Sequence, residues 1–378
     1  MIAGAILTPD GFVQGKLHID HATGRVASIV GRPIAQDAVL RSGLPWVLPG
    51  FIDTHVHGAG GADVMQGRAA LPTIARTVAR HGTTAFLATT MTAPADELAQ
   101  AVAGVGAYMR EAAASRQQGA ARVLGVHLEG PYLNSVRLGA QPDFVRHAAL
   151  AELGELCALA PIALLTLAPE VDDHVALIPA LRERNIRVQL GHSNASYEEA
   201  CAALAGGAGG FTHLFNAMSA LHHRAPGMVG AALAHAEFAE VIPDLLHVHP
   251  GGLRVALRSI PKLFCVSDST AATGMPDGPY LLGRQAVHKC LGGVRLADGT
   301  LAGSTLTLDQ ALRNLVHEIG LTVAEASMRV STYAADYLGL TERGRLCVGA
   351  YADMVVLNAG LEVRQVMVEG VKIELADV

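Results

Sequence analysis

Histidines and acidic residues end most of the short apolar segments in the middle of the chain. They are His55 and His57, His127 and Glu129, His192, His213, His247, and Asp268. Neutral imidazole nitrogens and carboxylate oxygens are the ligands that a catalytic zinc ion takes while it keeps one position for water. Such an ion acidifies water and polarises a carbonyl group. The residue types therefore indicate metal-assisted hydrolysis, in which Asp268 accepts the proton of the water and passes it to a leaving amine.

Any one of these residues alone has a simpler explanation, since a single His or Glu at a strand end is usually a hydrogen-bonded loop residue. The set is more informative. Ionisable groups at the ends of apolar strands are costly to desolvate unless they compensate one another, which favours a shared cation. For His127, two residues before Glu129 and on the same strand face, packing behind a ligand is as good an interpretation as ligation.

The apolar segments rich in branched residues alternate with longer Ala-rich segments. This alternation is typical of parallel strands and crossover helices, and eight such units form an α/β fold of the (β/α)8 TIM-like barrel type. The predicted strands are Phe51–His57, Thr83–Thr90, Val123–Glu129, Ile162–Leu167, Ile186–His192, Gly210–His213, Glu240–His247 and Lys262–Asp268. Because active sites of such barrels lie at the carboxyl ends of the strands, we expect the ionisable residues to meet at one rim.

The two ends of the chain have a different pattern, with short alternating or continuously apolar segments separated by turns. We expect them to form one small β-sandwich domain. Residues 1–48 plus 349–378 then make the small domain, and residues 49–348 make the catalytic barrel. A barrel of this class takes roughly 250 residues, so the length of 378 leaves room for a second unit.

Composition excludes several classes of protein. The net charge of −6 gives no basic surface for nucleic acid or an anionic membrane. The apolar stretches are too short for a membrane span, and the apolar N-terminus lacks the basic residues of a signal peptide. Five scattered cysteines, odd in number and without CxxC spacing, favour reduced thiols. We therefore expect a cytoplasmic globular protein with a large core.

Several motifs resemble known families. Residues 49–58 (Pro-Gly-Phe-Ile-Asp-Thr-His-Val-His-Gly) and 349–357 (Gly-Ala-Tyr-Ala-Asp-Met-Val-Val-Leu) resemble the amidohydrolase superfamily. His-Leu-Glu-Gly-Pro-Tyr-Leu-Asn at 127–134, Gly-His-Ser at 191–193, Thr-His-Leu-Phe-Asn-Ala-Met at 212–218, Leu-His-Val at 246–248 and Val-Ser-Asp at 266–268 resemble the N-acetylglucosamine-6-phosphate deacetylase family. The resemblance covers almost the whole chain. It implies hydrolysis of the acetamide of N-acetylglucosamine 6-phosphate to glucosamine 6-phosphate and acetate, a step of amino-sugar catabolism.

The same resemblance implies a role for each matching residue. Glu129, His192 and His213 would hold the principal divalent metal, Zn²⁺ in the first place and Fe²⁺ or another ion as alternatives. His55 and His57 would allow a second site, so that each subunit holds one or two ions. Asp268 would be the general acid and base. The expected substrate contacts are Asn216, Ala217, Arg224, Asp244, His247, Leu301, Ala302 and Gly303, with His247 also polarising the substrate and Arg224 near a homodimer interface.

One segment departs from the family pattern. Where the family carries a histidine that contacts the sugar phosphate, this chain has Arg-Leu-Gly-Ala-Gln-Pro at 137–142, so Ala140 and Gln141 are the candidate replacements. Alternative substrates are therefore N-acetylgalactosamine 6-phosphate, a non-phosphorylated N-acetyl sugar or another amide. A more remote alternative is a non-catalytic binding protein on the same barrel. That alternative predicts loss of the ionisable strand-end residues, which are all present.

Overall fold

The computed structural model describes residues 1–114 and 119–375. The strands are β1 Ile2–Thr8, β2 Gly11–Asp20, β3 Arg25–Pro33, β4 Trp46–Pro49, β5 Phe51–Val56, β6 Gly58–Ala59, β7 Ala62–Asp63, β8 Thr83–Thr90, β9 Arg122–Glu129, β10 Ile162–Leu167, β11 Arg187–Leu190, β12 Gly210–Phe211, β13 Phe238–Val241, β14 Lys262–Cys265, β15 Gly278–Leu282, β16 Gln285–Cys290, β17 Gly293–Arg295, β18 Met354–Leu357, β19 Val363–Val368 and β20 Val371–Lys372. The helices are α1 Gln36–Ser42, α2 Leu71–Arg80, α3 Ala95–Ala114, α4 Leu150–Leu159, α5 His174–Glu183, α6 Tyr197–Gly206, α7 Gly227–His235, α8 Pro250–Ser259, α9 Leu308–Asn314, α10 Val323–Ser327 and α11 Tyr333–Leu338. Short 3-10 helices cover Val64–Ala69 and Ser135–Arg137, and π-helical turns cover Leu315–Ile319 and Met328–Thr332.

A curled parallel sheet carries the ionisable residues. Six strands pair in the order β12-β11-β10-β9-β8-β5, and β13 and β14 form a separate parallel pair. Backbone hydrogen bonds link the pair to both edges of the six-stranded sheet. Leu214 N donates to Glu240 O (2.8 Å), and Asp268 N donates to His55 O (3.0 Å). The mixed α/β fold and the parallel strands confirm the coarse part of the fold prediction.

The seventh strand differs from the expectation, which placed it at Glu240–His247. The observed strand, β13, ends at Val241. Pro243 has no backbone donor, and Leu245 has a positive φ of 67°, so the ladder cannot continue beyond this point. His247 therefore lies in the loop before α8 and not at a strand end.

Both ends of the chain contribute to one seven-stranded sheet of order β20-β19-β18-β4-β1-β2-β3. The pairs β1–β2 and β18–β19 are antiparallel, whereas β1 and β4 run parallel. One face buries a separate apolar cluster that includes Ile6, Leu17 and Met354. The expected second layer of a sandwich stays a prediction. Helix α1, Gln36–Ser42, differs from the expectation of strands alone in residues 1–48.

A salt-bridge network joins this seven-stranded sheet to the curled sheet. Glu369, in the turn between β19 and β20, accepts hydrogen bonds from Arg122 at the start of β9 and from Arg343. Arg343 also donates to Asp353. The Arg343, Asp353 and Glu369 side chains are at most 13% exposed, so the charges stabilise one another in a largely dehydrated contact.

Strands β15–β17 form a small antiparallel sheet inserted between β14 and α9. Gly283, in the turn between β15 and β16, donates its N–H to Asp63 (2.8 Å), which ties this sheet to the segment after β5. Leu282 of β15 reaches the cavity described below. Over the described ranges 1–114 and 119–375, no helix combines the length and apolar character needed to cross a membrane.

Candidate metal centre

Glu129, His192 and His213 bring three ligand atoms together at the carboxyl end of the parallel sheet. Oε1 of Glu129 lies 3.1 Å from Nε2 of His192 and 3.0 Å from Nε2 of His213, and the two Nε2 atoms are 3.1 Å apart. All three side chains are buried. They come from β9 and from the segments that follow β11 and β12, so three separate strands build this group.

The partners of the imidazole rings show which nitrogen carries hydrogen. Nδ1 of His192 faces the carbonyl oxygen of Arg137 at 2.9 Å, and Nδ1 of His57 faces that of Thr89 at 3.3 Å. A carbonyl oxygen only accepts, so Nδ1 is protonated and Nε2 presents a lone pair. The His192 lone pair points at the Glu129 carboxylate, which also offers lone pairs. A cation between them removes this repulsion, and the nitrogen and oxygen donors fit a divalent metal such as zinc.

A second group of ligand atoms adjoins the first. Nε2 of His55 and Nε2 of His57 are 3.2 Å apart, and Oδ1 of Asp268 lies 3.5 and 3.3 Å from them. Oε2 of Glu129 is 3.4 and 3.1 Å from the same two nitrogens. Glu129 thus directs one oxygen to each group and stands between them.

Both carboxyl groups are ionised at neutral pH. Burial alone would raise the pKa of Glu129, but the imidazoles that surround this carboxyl group, His55 foremost, hold that pKa well below its ordinary value. Burial also opposes ionisation of Asp268, whereas His55 and His57 lower its pKa to about 2. Asp268 can therefore act as a proton acceptor.

Three of these residues have strained backbone conformations. The φ angles of His192, His213 and Asp268 are +48°, +28° and +51°, in a region that non-glycine residues rarely occupy. Such strain persists where the surrounding structure fixes it and is concentrated at functional sites. Gly303, at φ +59°, packs so closely on Asp268 that a Cβ atom would lie 3.0 Å from the Asp268 carbonyl oxygen. The loop around Gly303 therefore requires glycine.

His247 is oriented by Asp244. Oδ2 of Asp244 lies 2.6 Å from Nδ1 of His247, and Oδ1 accepts from the His247 backbone N–H at 2.8 Å. Burial would lower the pKa of His247, but the hydrogen bond and charge of Asp244 outweigh burial and raise it above its ordinary value. His247 lines the cavity, and Asp244 favours the protonated form of its ring, in which Nε2 carries a hydrogen.

A cavity of about 350 Å³ opens above both groups. Most of the residues expected from the sequence line it, namely His57, Glu129, Ala140, Gln141, His192, His213, Asn216, Ala217, His247, Asp268, Leu301 and Gly303. Sequence reasoning missed Met91, Val136, Arg137, Gly139, Leu282 and Thr300, which also line it. Arg137 opens the very segment that departs from the family pattern, so its charge was the signal that could have found it.

Four residues expected at the site do not line the cavity. His55 is buried beneath it, and Asp244 stands behind His247. Ala302 is fully buried, and its N–H donates to Val294 of β17. Arg224 lies in an exposed loop, with Nη1 2.8 Å from Nε2 of His223. Contacts between these residues and a substrate stay predictions.

His127 and Gln141 contact their neighbours in ways that define their roles. Nε2 of His127 lies 2.8 Å from Thr166 Oγ1, and burial lowers the pKa of His127 to about 3, so the ring is neutral. This arrangement favours packing behind the ligands. Gln141 accepts from Thr92 N at 2.7 Å and donates to Oε2 of Glu129 at 2.7 Å.

The model of the Amidohydrolase family matches residues 46–373. The chain belongs to the amidohydrolase family. This match confirms the resemblance of the first-strand motif and of the C-terminal motif, and it spans both groups of ligand atoms.

Two curated relatives match most of the chain. N-acetylglucosamine-6-phosphate deacetylase of Vibrio furnissii is 40% identical over 333 residues, which are 86% of this chain and 82% of the relative. N-acetylgalactosamine-6-phosphate deacetylase of Escherichia coli O157:H7 is 38% identical over 381 residues, or 97% of each chain. The two relatives are named for different amino-sugar phosphates, so sequence similarity alone leaves the sugar epimer open.

A solved structure is similar over nearly the full length. It is an Asp-to-Ala variant of N-acetyl-D-glucosamine-6-phosphate deacetylase from Mycobacterium smegmatis in complex with N-acetyl-D-glucosamine-6-phosphate. The sequences are 33% identical, the TM-score is 0.87, and the match covers 98% of both chains. The backbone of this amidohydrolase is therefore close to that of an enzyme with a bound amino-sugar phosphate.

Proposed function

We propose that the chain is a metal-dependent deacetylase that converts N-acetylglucosamine 6-phosphate to glucosamine 6-phosphate and acetate. The observation that carries the proposal is the convergence of Glu129, His192 and His213 beside Asp268 in one cavity. The names of the Vibrio furnissii relative and of the Mycobacterium smegmatis structure support the substrate. The intact set of ionisable residues argues against the alternative of a non-catalytic binding protein.

Glu129, His192 and His213 would hold the principal divalent cation, with Zn²⁺ favoured by the nitrogen and oxygen donors. His55, His57 and Asp268 would hold a second ion next to the other oxygen of Glu129. A divalent cation supplies Lewis-acid polarisation of the acetamide carbonyl and acidifies water. Metal analysis of the purified protein decides whether this cation is zinc or iron.

Asp268 and His247 would perform the proton chemistry. The Asp268 carboxylate accepts a proton from water as the oxygen attacks the acetyl carbon, and returns it to the amide nitrogen as the C–N bond breaks. The leaving group is then a neutral amine. His247, kept in orientation by Asp244, donates a hydrogen bond from Nε2 to the acetyl oxygen as negative charge develops there.

The sugar phosphate requires cationic and amide partners. Arg137 lines the cavity. Its Nε and Nη2 atoms donate hydrogen bonds to Asn194 Oδ1, which fix the guanidinium group within reach of an anion in the cavity. We propose Arg137 as one phosphate contact and Arg224, from the neighbouring subunit of a homodimer, as another. Asn216 and Ala217 line the same cavity and would contact the substrate.

N-acetylgalactosamine 6-phosphate is a second candidate substrate. The Escherichia coli relative named for this sugar matches 97% of the chain. In addition, Gln141 is a candidate replacement for the family's histidine that contacts the sugar phosphate. Its side chain donates a hydrogen bond to Glu129 instead. The two epimers differ at one hydroxyl, so a single changed contact could decide between them.

The proposal extends to the architecture. The hydrogen bonds from Leu214 to Glu240 and from Asp268 to His55 support closure of the eight parallel strands into a (β/α)8 barrel over residues 49–348. Residues 1–48 and 349–378 would form the small β-sandwich domain. The five free cysteines fit a reducing environment, and we propose a cytoplasmic location.

Acetate release tests the function directly. The purified protein, treated with a chelator and then supplied with Zn²⁺, is incubated with the glucosamine and galactosamine compounds, each with and without the 6-phosphate. We expect release from an N-acetylhexosamine 6-phosphate with the highest kcat/KM, and loss of release in the chelated protein. No release from any compound at restored metal content would overturn the proposal.

A further inference from the structure

Glu240 is a carboxylate with no exposed surface on β13, next to the second group of ligand atoms. A buried carboxylate strongly destabilises a fold unless donors surround it. Three donors do so here. Thr54 Oγ1 donates to Oε1 at 2.5 Å, and Oε2 lies 3.2 Å from His55 Nδ1 and 3.4 Å from His213 N. Glu240 is thus fully engaged without contacting the cavity.

These contacts fix the proton on His55. Oε2 of Glu240 accepts from Nδ1, so in the neutral ring it is Nε2 of His55 that offers a lone pair. That lone pair is directed at the space among His57, Glu129 and Asp268, whose nearest ligand atoms lie 3.2, 3.4 and 3.5 Å away. The Glu240 carboxylate therefore selects the form of His55 that can bind a cation.

Glu240 differs from the partners of the other ring nitrogens. His57 and His192 are oriented by backbone carbonyl oxygens, which are neutral. A carboxylate partner makes an imidazole a stronger ligand because it favours positive charge on the ring. His55 consequently has the strongest electrostatic support among these three histidines, although it lies deepest in the site.

We propose that Glu240 is a positioning residue that enables a second divalent cation to bind at His55, His57 and Asp268. The inference rests on the proposed metal-dependent function, but it concerns ion binding and not the sugar. Glu129, His192 and His213 keep their own partners when Glu240 is changed, apart from the long contact to His213 N. The two sites should therefore respond differently to a substitution at Glu240.

Equilibrium dialysis of the metal-free protein against buffered Zn²⁺, followed by elemental analysis, measures the ions bound per chain. We expect two ions for the wild type, with separate affinities. Glu240→Gln should weaken one of them by about 10- to 100-fold and leave the other unchanged. Glu237→Gln is the matched control, because Glu237 directly precedes the same strand, β13. Its side chain is 63% exposed and pairs at 2.9 Å with Lys262 of β14.

A wild type that saturates at one ion, or a Glu240→Gln variant that binds both ions with wild-type affinities, would overturn the proposal. Thermal unfolding of the metal-free proteins shows whether the variant folds. If it does not, Thr54→Val removes one hydrogen bond to Glu240 at similar volume and should weaken the same ion. Unchanged affinities in that variant count against the proposal. Because no sugar is present, these results stand apart from those of the acetate assay.

Discussion

The side-chain amide of Gln141 donates a 2.7 Å hydrogen bond to Oε2 of Glu129. Gln141 is 4% exposed, and its carbonyl oxygen accepts from the backbone of Thr92. Gln141 lies in the loop after β9. Its amide therefore links Glu129, which directs an oxygen to each group of ligand atoms, to Thr92 just after β8. Gln141 is in position to orient Glu129 rather than to reach outward for a sugar hydroxyl.

Gln141→Leu should lower kcat by about 10- to 100-fold and reduce metal affinity, because the Glu129 carboxylate loses the donor that orients it. KM should change little. Steady-state kinetics together with metal content separate the two interpretations of Gln141. A raised KM at full metal content would show that Gln141 contacts the sugar instead. Gln66→Leu offers a control for removal of a glutamine away from the cavity.

Asp268→Asn should reduce kcat by about 10²- to 10⁴-fold, because an amide cannot accept the proton of water. Asparagine tolerates the positive φ of this position, so the fold should persist. Circular dichroism and acetate release measured on the same preparation check both parts. Asp172→Asn, at an exposed position, should behave as the wild type. A variant with a near-normal rate would remove Asp268 from the mechanism.

Asp244→Asn should move the alkaline limb of the kcat/KM profile to lower pH. Asp244 raises the pKa of His247, so the active protonated ring persists to higher pH in the wild type. Without this carboxylate, the pKa of His247 falls and the ring loses its proton earlier as pH rises. An unmoved limb, or a shift to higher pH, would contradict this role, and His247→Gln should abolish the limb.

The sequence was sufficient to predict the residues at strand ends, because a polar residue after an apolar run is visible without any tertiary information. Four predicted strands agree with the observed ones to within one residue at each end, among them Thr83–Thr90 and Ile162–Leu167. The strands predicted to end at His192, His213 and Asp268 end two or three residues earlier, so these side chains lie just beyond the strands. The strand before His247 was misplaced because Glu240-Val-Ile resembles the start of a strand. Only the pairing of β13 with β14 shows that the ladder ends at Val241.

The residues behind the ligands could not be predicted in the same way. Glu240 and Thr54 lie in strands buried on both faces, where the sequence does not show which side chains point inward. Their roles depend on a contact between β5 and β13, which are 186 residues apart at the Thr54–Glu240 hydrogen bond. A charged residue inside an apolar strand was the available signal, and it indicates burial without naming the partner.

Arg224→Ala should lower kcat/KM for the phosphorylated sugar by about 10-fold or more, since a lost charge-assisted hydrogen bond costs about 1.5–3 kcal/mol. Activity on the unphosphorylated sugar should not change. Kinetics with both sugars, and with Arg258→Ala as a control at an exposed helical position, test this contact. Equal activity of Arg224→Ala and wild type on the phosphosugar would assign phosphate binding to Arg137 or another group.

Glu369 offers a test of the contact between the two sheets. Burial alone would raise its pKa, but hydrogen bonds from Arg122 and Arg343 outweigh burial and lower the pKa below its ordinary value. A carboxyl group whose pKa is lower in the folded than in the unfolded state stabilises the fold at neutral pH. That contribution disappears as pH falls through the folded pKa.

Glu369→Gln should therefore reduce the free energy of unfolding by about 2 kcal/mol at pH 7, because two largely buried arginines lose their shared carboxylate. The difference from the wild type should begin to shrink as pH falls below about 4.3, the ordinary pKa of a glutamate, and vanish below the folded pKa of Glu369, where the wild-type carboxyl group is neutral as well. Urea unfolding at a series of pH values measures both effects. Glu362→Gln is the matched control, since Glu362 is 63% exposed and pairs with the equally exposed Arg364. A destabilisation by Glu369→Gln that stays the same from pH 7 down to the lowest pH at which the wild type still folds would mean that shape rather than charge holds this contact.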